Sequence, residues 1–215
     1  MCKNRLKQIG LGLQMYVSDT GYYPPLAERG TRTLCFDRLY PYYPISWTNE
    51  SWNCPSYVAN HGIISRDRVK TNSGGTSYAY NDMGIVTGWP DCPQSIFQSQ
   101  LGLGHLPKNS KKEPGVSVPS QMYAVADARS VTEGKGIVGS IKMSPWASSC
   151  YNYLGNNEAA APHGQGYNIL FCDGHVTLVK RKDYLYPPRT ASNWNSDNQP
   201  HPEAWAPVSL WAVQN

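Results

Sequence analysis

An α+β fold, one N-terminal helix laid on a small antiparallel sheet, is what this 215-residue chain predicts. Three observations carry that expectation. Residues 1–21 hold an apolar stripe at helical spacing, and residues 121–185 hold short apolar runs, two of them joined by Asp173-Gly174. The stretch between, 25–120, is interrupted every few residues by Gly, Pro, Asn or Ser.

The helix is the clearest element. In "CKNRLKQIGLGLQMYVSDTGYYPP", Leu6, Ile9, Leu13 and Tyr16 recur at steps of three and four, which marks one apolar stripe expected to pack against the rest of the chain. Leu11 and Val17 lie off that stripe, so cover on a second face is also expected. Gly10 and Gly12 each cost a helix about 1 kcal/mol relative to Ala, a cost that makes sense where a partner packs closely. Gly21 can adopt the left-handed cap conformation, and Pro24-Pro25 forbids continuation.

Residues 25–120 read as a loop-rich insertion, with "TSYAYNDMG" as a short strand leading into a turn. Aromatic packing and disulfides, rather than a sheet, are expected to order so long a stretch. The following segment, 121–185, is sheet: "QMYAVADA" (121–128), "GIVGSIKM" (136–143), then a hairpin of "YNILFC" and "HVTLVK". A two-residue type I′ turn at Asp173-Gly174 would pair Cys172 with His175, Phe171 with Val176 and Ile169 with Leu178. It would also set Tyr167, Ile169 and Phe171 on one face with Val176 and Leu178. The end, 186–215, reads as an extended tail anchored by Trp194, Trp205 and Trp211. None of these segments can bury a core alone, so a single domain over 1–215 is expected.

Composition narrows the function classes. Only 16% of residues are charged, while Tyr (15), Trp (7), Gly (19) and Pro (17) are plentiful, which favours turns and aromatic surface over regular helix. A scattered net charge of +4 does not suit nucleic acid as a partner. No run reaches transmembrane length and no signal peptide is visible. Cys2, Cys35, Cys54, Cys92, Cys150 and Cys172 include no CxxC pair, so short-spaced zinc ligation is not predicted. Their even number suits an oxidising, extracytoplasmic compartment, with connectivity left open; Cys172, inside a strand pattern, reads as a buried thiol.

Candidate chemistry is sparse. His163 and Asp173 stand ten residues apart across a strand, a span of roughly 33 Å, and so do not form one site. Asp173 is explained by the turn, and His163 by fixing the loop that enters the strand. Gly-x-Ser-x-Gly, His-Glu-x-x-His and phosphate-cradling patterns are absent from the sequence. Asp82, Asp91, Asp127, Asp173, His105, His175 and His201 are the residues from which a Ca²⁺ or transition-metal site would have to be drawn, but none has diagnostic spacing. No catalytic residue, cofactor or metal is therefore expected. Trp194, Trp205 and Trp211, if exposed, are the aromatics that a polysaccharide ligand would use; core or interface packing is the competing role.

The landmarks together resemble a known family. The N-terminal stretch resembles the segment that follows the membrane-spanning part of the first helix in type IV pilin-like proteins. "PHGQGYNILFCDGHVTLV" resembles the His, nine residues, Asp-Gly signature of the prepilin-type processing-associated family, carried here by His163, Asp173 and Gly174. "WNCP", "SYAYNDMG", "VPSQMYAVADA" and "WNSDNQPHPEAW" extend the resemblance to about residue 205. It implies a pilin-like head and a non-enzymatic structural subunit of a type II secretion pseudopilus or surface filament. It further implies pilin-like subunits and secretion machinery as partners, a periplasmic or cell-surface location, and an inner-membrane anchor before assembly. The prepilin cleavage and methylation motif and the apolar half-helix of that family do not occur in this sequence, and the resemblance places them upstream of Met1. Some pseudopilins carry Ca²⁺ near the C-terminal sheet; no run of Asp here reproduces that loop. An extracytoplasmic polysaccharide-binding module is the alternative, and a hydrolase on a pilin-like scaffold is a third, marked by two facing carboxylates or a metal with an open position.

Overall fold

The computed structural model describes residues 2–28, 31, 33–56, 77–84, 101–128, 130–133, 136–139, 163–164, 166–184 and 187–202. Helix α1 spans Cys2–Thr20 and α2 is the single turn Cys35–Arg38; α3 (Arg181–Tyr184) and α4 (Pro187–Trp194) follow the sheet. The strands are β1 (Tyr78–Tyr80), β2 (Tyr123–Asp127), β3 (Ser130–Glu133), β4 (Gly136–Gly139), β5 (Gly166–Phe171) and β6 (Val176–Lys180). The main sheet is antiparallel throughout, in the order β1-β2-β5-β6, while β3 and β4 pair separately. No helix among the described residues is long and apolar enough to cross a membrane.

Three of the four residues expected to pack α1 are buried in the core, and Tyr16 is only partly so. Leu6, Ile9 and Leu13 are fully buried, and Val17 rather than the half-buried Tyr16 completes the inward face. Tyr16 instead meets Tyr42 edge-on, with ring centroids 5.9 Å apart. Leu11 lies 60% exposed on the opposite side. The glycines are notches: a Cβ on Gly10 would sit 2.5 Å from Leu170 Cδ1, and one on Gly12 would sit 3.0 Å from Tyr43 Cβ. The helix ends as predicted, with Gly21 at φ +73° and its N–H donating to Val17 O at 2.7 Å.

The hairpin forms, but its register is one residue away from the expected one. Leu170 pairs with Val176, Ile169 with Thr177 and Asn168 with Leu178. Gly174 N–H donates to Phe171 O at 3.0 Å, Phe171 N–H donates to His175 O at 2.9 Å, and Gly174 has φ +89°. The loop is thus three residues, Cys172-Asp173-Gly174, a turn closed by a left-handed glycine, and not the two-residue type I′ turn. Asp173 stabilises that geometry, since its Oδ1 accepts from His175 N at 3.1 Å and contacts His175 Nδ1 at 2.6 Å. A one-residue slip exchanges the faces of β6. Val176 therefore shares the Leu170 face toward α1, while Leu178 is 45% exposed.

The other face of the sheet is aromatic. Tyr123 meets Phe171 and Trp194 edge-on at 5.1 and 5.4 Å, and Tyr184 lies between Tyr167 (4.9 Å) and Trp194 (5.0 Å). Both central strands, β2 and β5, are consequently buried along their whole length. The C-terminal segment departs from the extended tail that was expected. Residues 187–194 form α4, and Trp194, fully buried, is the plug of this layer and not a surface aromatic. Trp205 and Trp211 lie outside the described residues, as do residues 140–143 of the expected strand 136–143.

Within 25–120, the described parts are ordered by aromatics, as expected: Trp52 packs on Phe36 (5.3 Å) and Tyr43 (5.1 Å). No disulfide is formed among the described cysteines: Cys2, Cys35 and Cys172 are buried thiols, and Cys54 is buried with its Sγ 3.1 Å from Cys2 Sγ. Residues 81–84 and 101–104 form a backbone knot. Asn81 donates through Nδ2 to Tyr123 O (2.8 Å) and Trp194 O (2.9 Å), and its Oδ1 accepts from Gly84 N. Leu103 N–H and Gly104 N–H donate in turn to Asn81 O and Asp82 O.

This aromatic core has a pH signature. Burial raises the ionisation of Tyr23, Tyr78, Tyr80 and Tyr123 well above the ordinary phenol range. The unfolded chain releases these protons near pH 10, while the folded one retains them, so the stabilisation is complete below about pH 10 and is lost as pH rises above it. Each such phenol then removes up to about 1.4 kcal/mol per pH unit. Urea midpoints are expected to fall steeply above about pH 10, with the phenolate absorbance of the buried class appearing only as structure is lost. Ionisation of every tyrosine ahead of unfolding would contradict this.

Candidate functional site

The described residues bring together one cluster with chemical potential: Cys2, Cys54, His163 and Asp127. Each comes from a different segment. Cys2 opens α1, and Arg5 one turn on ties the helix to the segment before Cys54, its guanidinium donating to the carbonyls of Asn53 and Glu50. Cys54 sits in the turn after Trp52, where its N–H donates to Ser77 Oγ at 2.7 Å at the start of β1. Asp127 ends β2, opposite Tyr78. His163 precedes β5 and forms an isolated bridge to Gly166.

Cys54 Sγ lies 3.1 Å from Cys2 Sγ and 3.4 Å from His163 Nε2. The same ring nitrogen is 3.2 Å from Asp127 Oδ2. Asp127 is fully buried; its Oδ2 also accepts from Asn168 N at 2.6 Å, while its Oδ1 has no hydrogen-bond partner among the described residues. Cys2, Cys54 and His163 can each place a ligand atom within 4.8 Å of the other two.

The electrostatics follow from this geometry. Burial raises the Asp127 carboxyl above the ordinary carboxylate range, against the pull of His163 and of the Asn168 N–H. His163 is held above the usual imidazole range, first by its hydrogen bond to Asp127. At Cys2, burial works upward, but hydrogen bonds from Ser56 and Cys54 outweigh it and leave the thiol lowered. Cys172 is the opposite case, pushed up to about 12 by full burial. Two chemistries are open to such a cluster: thiolate–imidazole ligation of a soft or borderline cation, and oxidation of the sulfur pair.

The sequence-predicted residues divide cleanly. His163 does fix the entry of β5, as expected, but its ring faces Asp127 and Cys54. Asp173 faces His175 instead, so His163 and Asp173 belong to different constellations. Asp82 pairs with His105 at 2.7 Å and Asp197 with His201 at 2.7 Å. Asp91 lies outside the described residues. Spacing could not have found the cysteine–histidine group, because its members are 52 and 109 residues apart along the chain. No protein-family profile, curated protein or solved structure matches this chain.

Proposed function

We propose that the chain is the head of a pilin-like, non-enzymatic structural subunit of a type II secretion pseudopilus or related surface filament. The observation that carries the reading is the two-sidedness of α1. Leu6, Ile9, Leu13 and Val17 are spent on the head, yet Leu11 and Met15, one turn apart on the outer side, remain 60% and 47% exposed. An apolar pair at i and i+4 on an outward helical face suits a neighbouring helix. The α+β arrangement of one long helix on an antiparallel sheet accords with such a subunit. The landmark resemblance from Cys2 to about residue 205 points the same way.

The test is assembly in the native host. Leu11→Lys with Met15→Lys is expected to abolish filaments or block their secretion function while changing stability by no more than about 0.5 kcal/mol per site, as suits exposed positions. Filaments that persist in that variant would refute the assignment of this face. A natural gene with no apolar helix encoded ahead of Cys2 would refute the class. The polysaccharide alternative loses one of its three aromatics, because Trp194 is buried.

A further inference from the structure

We propose that Cys2, Cys54 and His163 form a binding centre for a divalent cation of the zinc type, independent of any filament role. Two thiolates and an imidazole are the donor set such a cation selects, and a carboxylate beside them is the outer partner that such sites use. Their separations suit it. Tetrahedral coordination at the usual zinc bond lengths places sulfur and nitrogen ligands about 3.5 Å apart and two sulfurs about 3.8 Å apart. Cys54 Sγ and His163 Nε2 already stand at 3.4 Å, and the two sulfurs, at 3.1 Å, need to part by about 0.7 Å, within reach of a small side-chain rotation.

The hydrogen-bond count supports the same conclusion. A single Nε2 proton cannot serve both Cys54 Sγ and Asp127 Oδ2, yet both acceptors crowd that nitrogen. A cation at the shared point would satisfy the sulfurs and the nitrogen at once. It would also answer the buried carboxylate electrostatically, since Asp127 is fully buried with only Oδ2 engaged. Three protein ligands leave one coordination position, and the unpartnered Asp127 Oδ1 is a ready acceptor for a water bound there. A plain disulfide between Cys2 and Cys54 would explain neither His163 nor Asp127.

The test uses the full 215-residue chain, reduced, loaded with Zn²⁺ and passed through gel filtration. One equivalent of zinc per chain is expected to remain, and Co²⁺ in its place should show thiolate charge-transfer absorption. Cys54→Ser and His163→Gln should each weaken zinc binding by more than about 100-fold, beyond what loss of an outer partner costs. Cys172→Ser should retain the metal. A second measurement needs no variant: zinc should protect Cys2 and Cys54 of the wild-type protein from alkylation, read by peptide mass. Zinc binding that is equal in wild type and His163→Gln would overturn the proposal. So would absence of protection, or a quantitative Cys2–Cys54 disulfide forming in the presence of zinc.

Discussion

Trp194→Ala is expected to cost about 3–5 kcal/mol, enough to leave a domain of ordinary stability largely unfolded at 37 °C. The indole is fully buried, edge-on to Tyr123 and tilted against Tyr184. Its backbone carbonyl accepts from Asn81, so the ring and the chain it sits on are fixed together. Truncation would open a cavity between α4 and the sheet that flanking rings cannot collapse to fill. Trp194→Phe should cost much less, because the indole Nε1 has no hydrogen-bond partner among the described residues and only bulk is lost. Urea unfolding of the two variants separates packing from polarity. Unchanged stability in Trp194→Ala, with loss of binding to a glycan, would restore this residue to the surface.

Gly102→Ala is the second large effect, at about 3 kcal/mol or more. A Cβ on Gly102 would overlap the backbone nitrogens of Met83 and Gly84 and the carbonyl carbon of Asp82. Those atoms cannot swing aside as a side chain can. Residues 81–84 are pinned by Asn81 to Tyr123 and Trp194, so a displaced knot would strain β2 and α4 together. Gly115→Ala is the control, since its Cβ would meet only the flexible side chain of Lys111, at 3.0 Å. Thermal melts of both are expected to show a large drop in Tm for the first and little change for the second. Comparable melts would mean that the knot yields more readily than its geometry implies.

Those two positions mark how far the sequence could be read. The α1 stripe, its glycine notches, its stop and the existence of the β5–β6 hairpin were all legible, because each depends on neighbours within a few residues. The hairpin's register was not. Asp-Gly fits a two-residue turn and also the end of a three-residue one, and side-chain contacts settle the difference: Phe171 stacks on His175 at 4.0 Å. Helix α4 was hidden because its two leading prolines read as tail, although Pro is well suited to a first helical turn. The "LGLG" at 101–104 matches none of the phosphate-cradling patterns. Its task, close backbone approach, is visible only once residues 81–84 lie beside it. The cysteine–histidine cluster was illegible for the same reason, since four segments meet there that share no local pattern.

The notch at Gly10 also decides how the helix can move. Sliding α1 by one residue advances it about 1.5 Å and turns it about 100°, so translation and rotation along a helix are one motion. Leu170 fills the space that a side chain at position 10 would need, and Tyr43 does the same at position 12. Either neighbour of Gly10, Ile9 or Leu11, would collide with Leu170 if brought to that place. The two vacancies therefore act as a keyway, indexing the helix to β5 at one point and to the Tyr43 turn at the other, in both depth and angle. Tension applied along the α1 axis reaches β5 as shear across that contact, without slip.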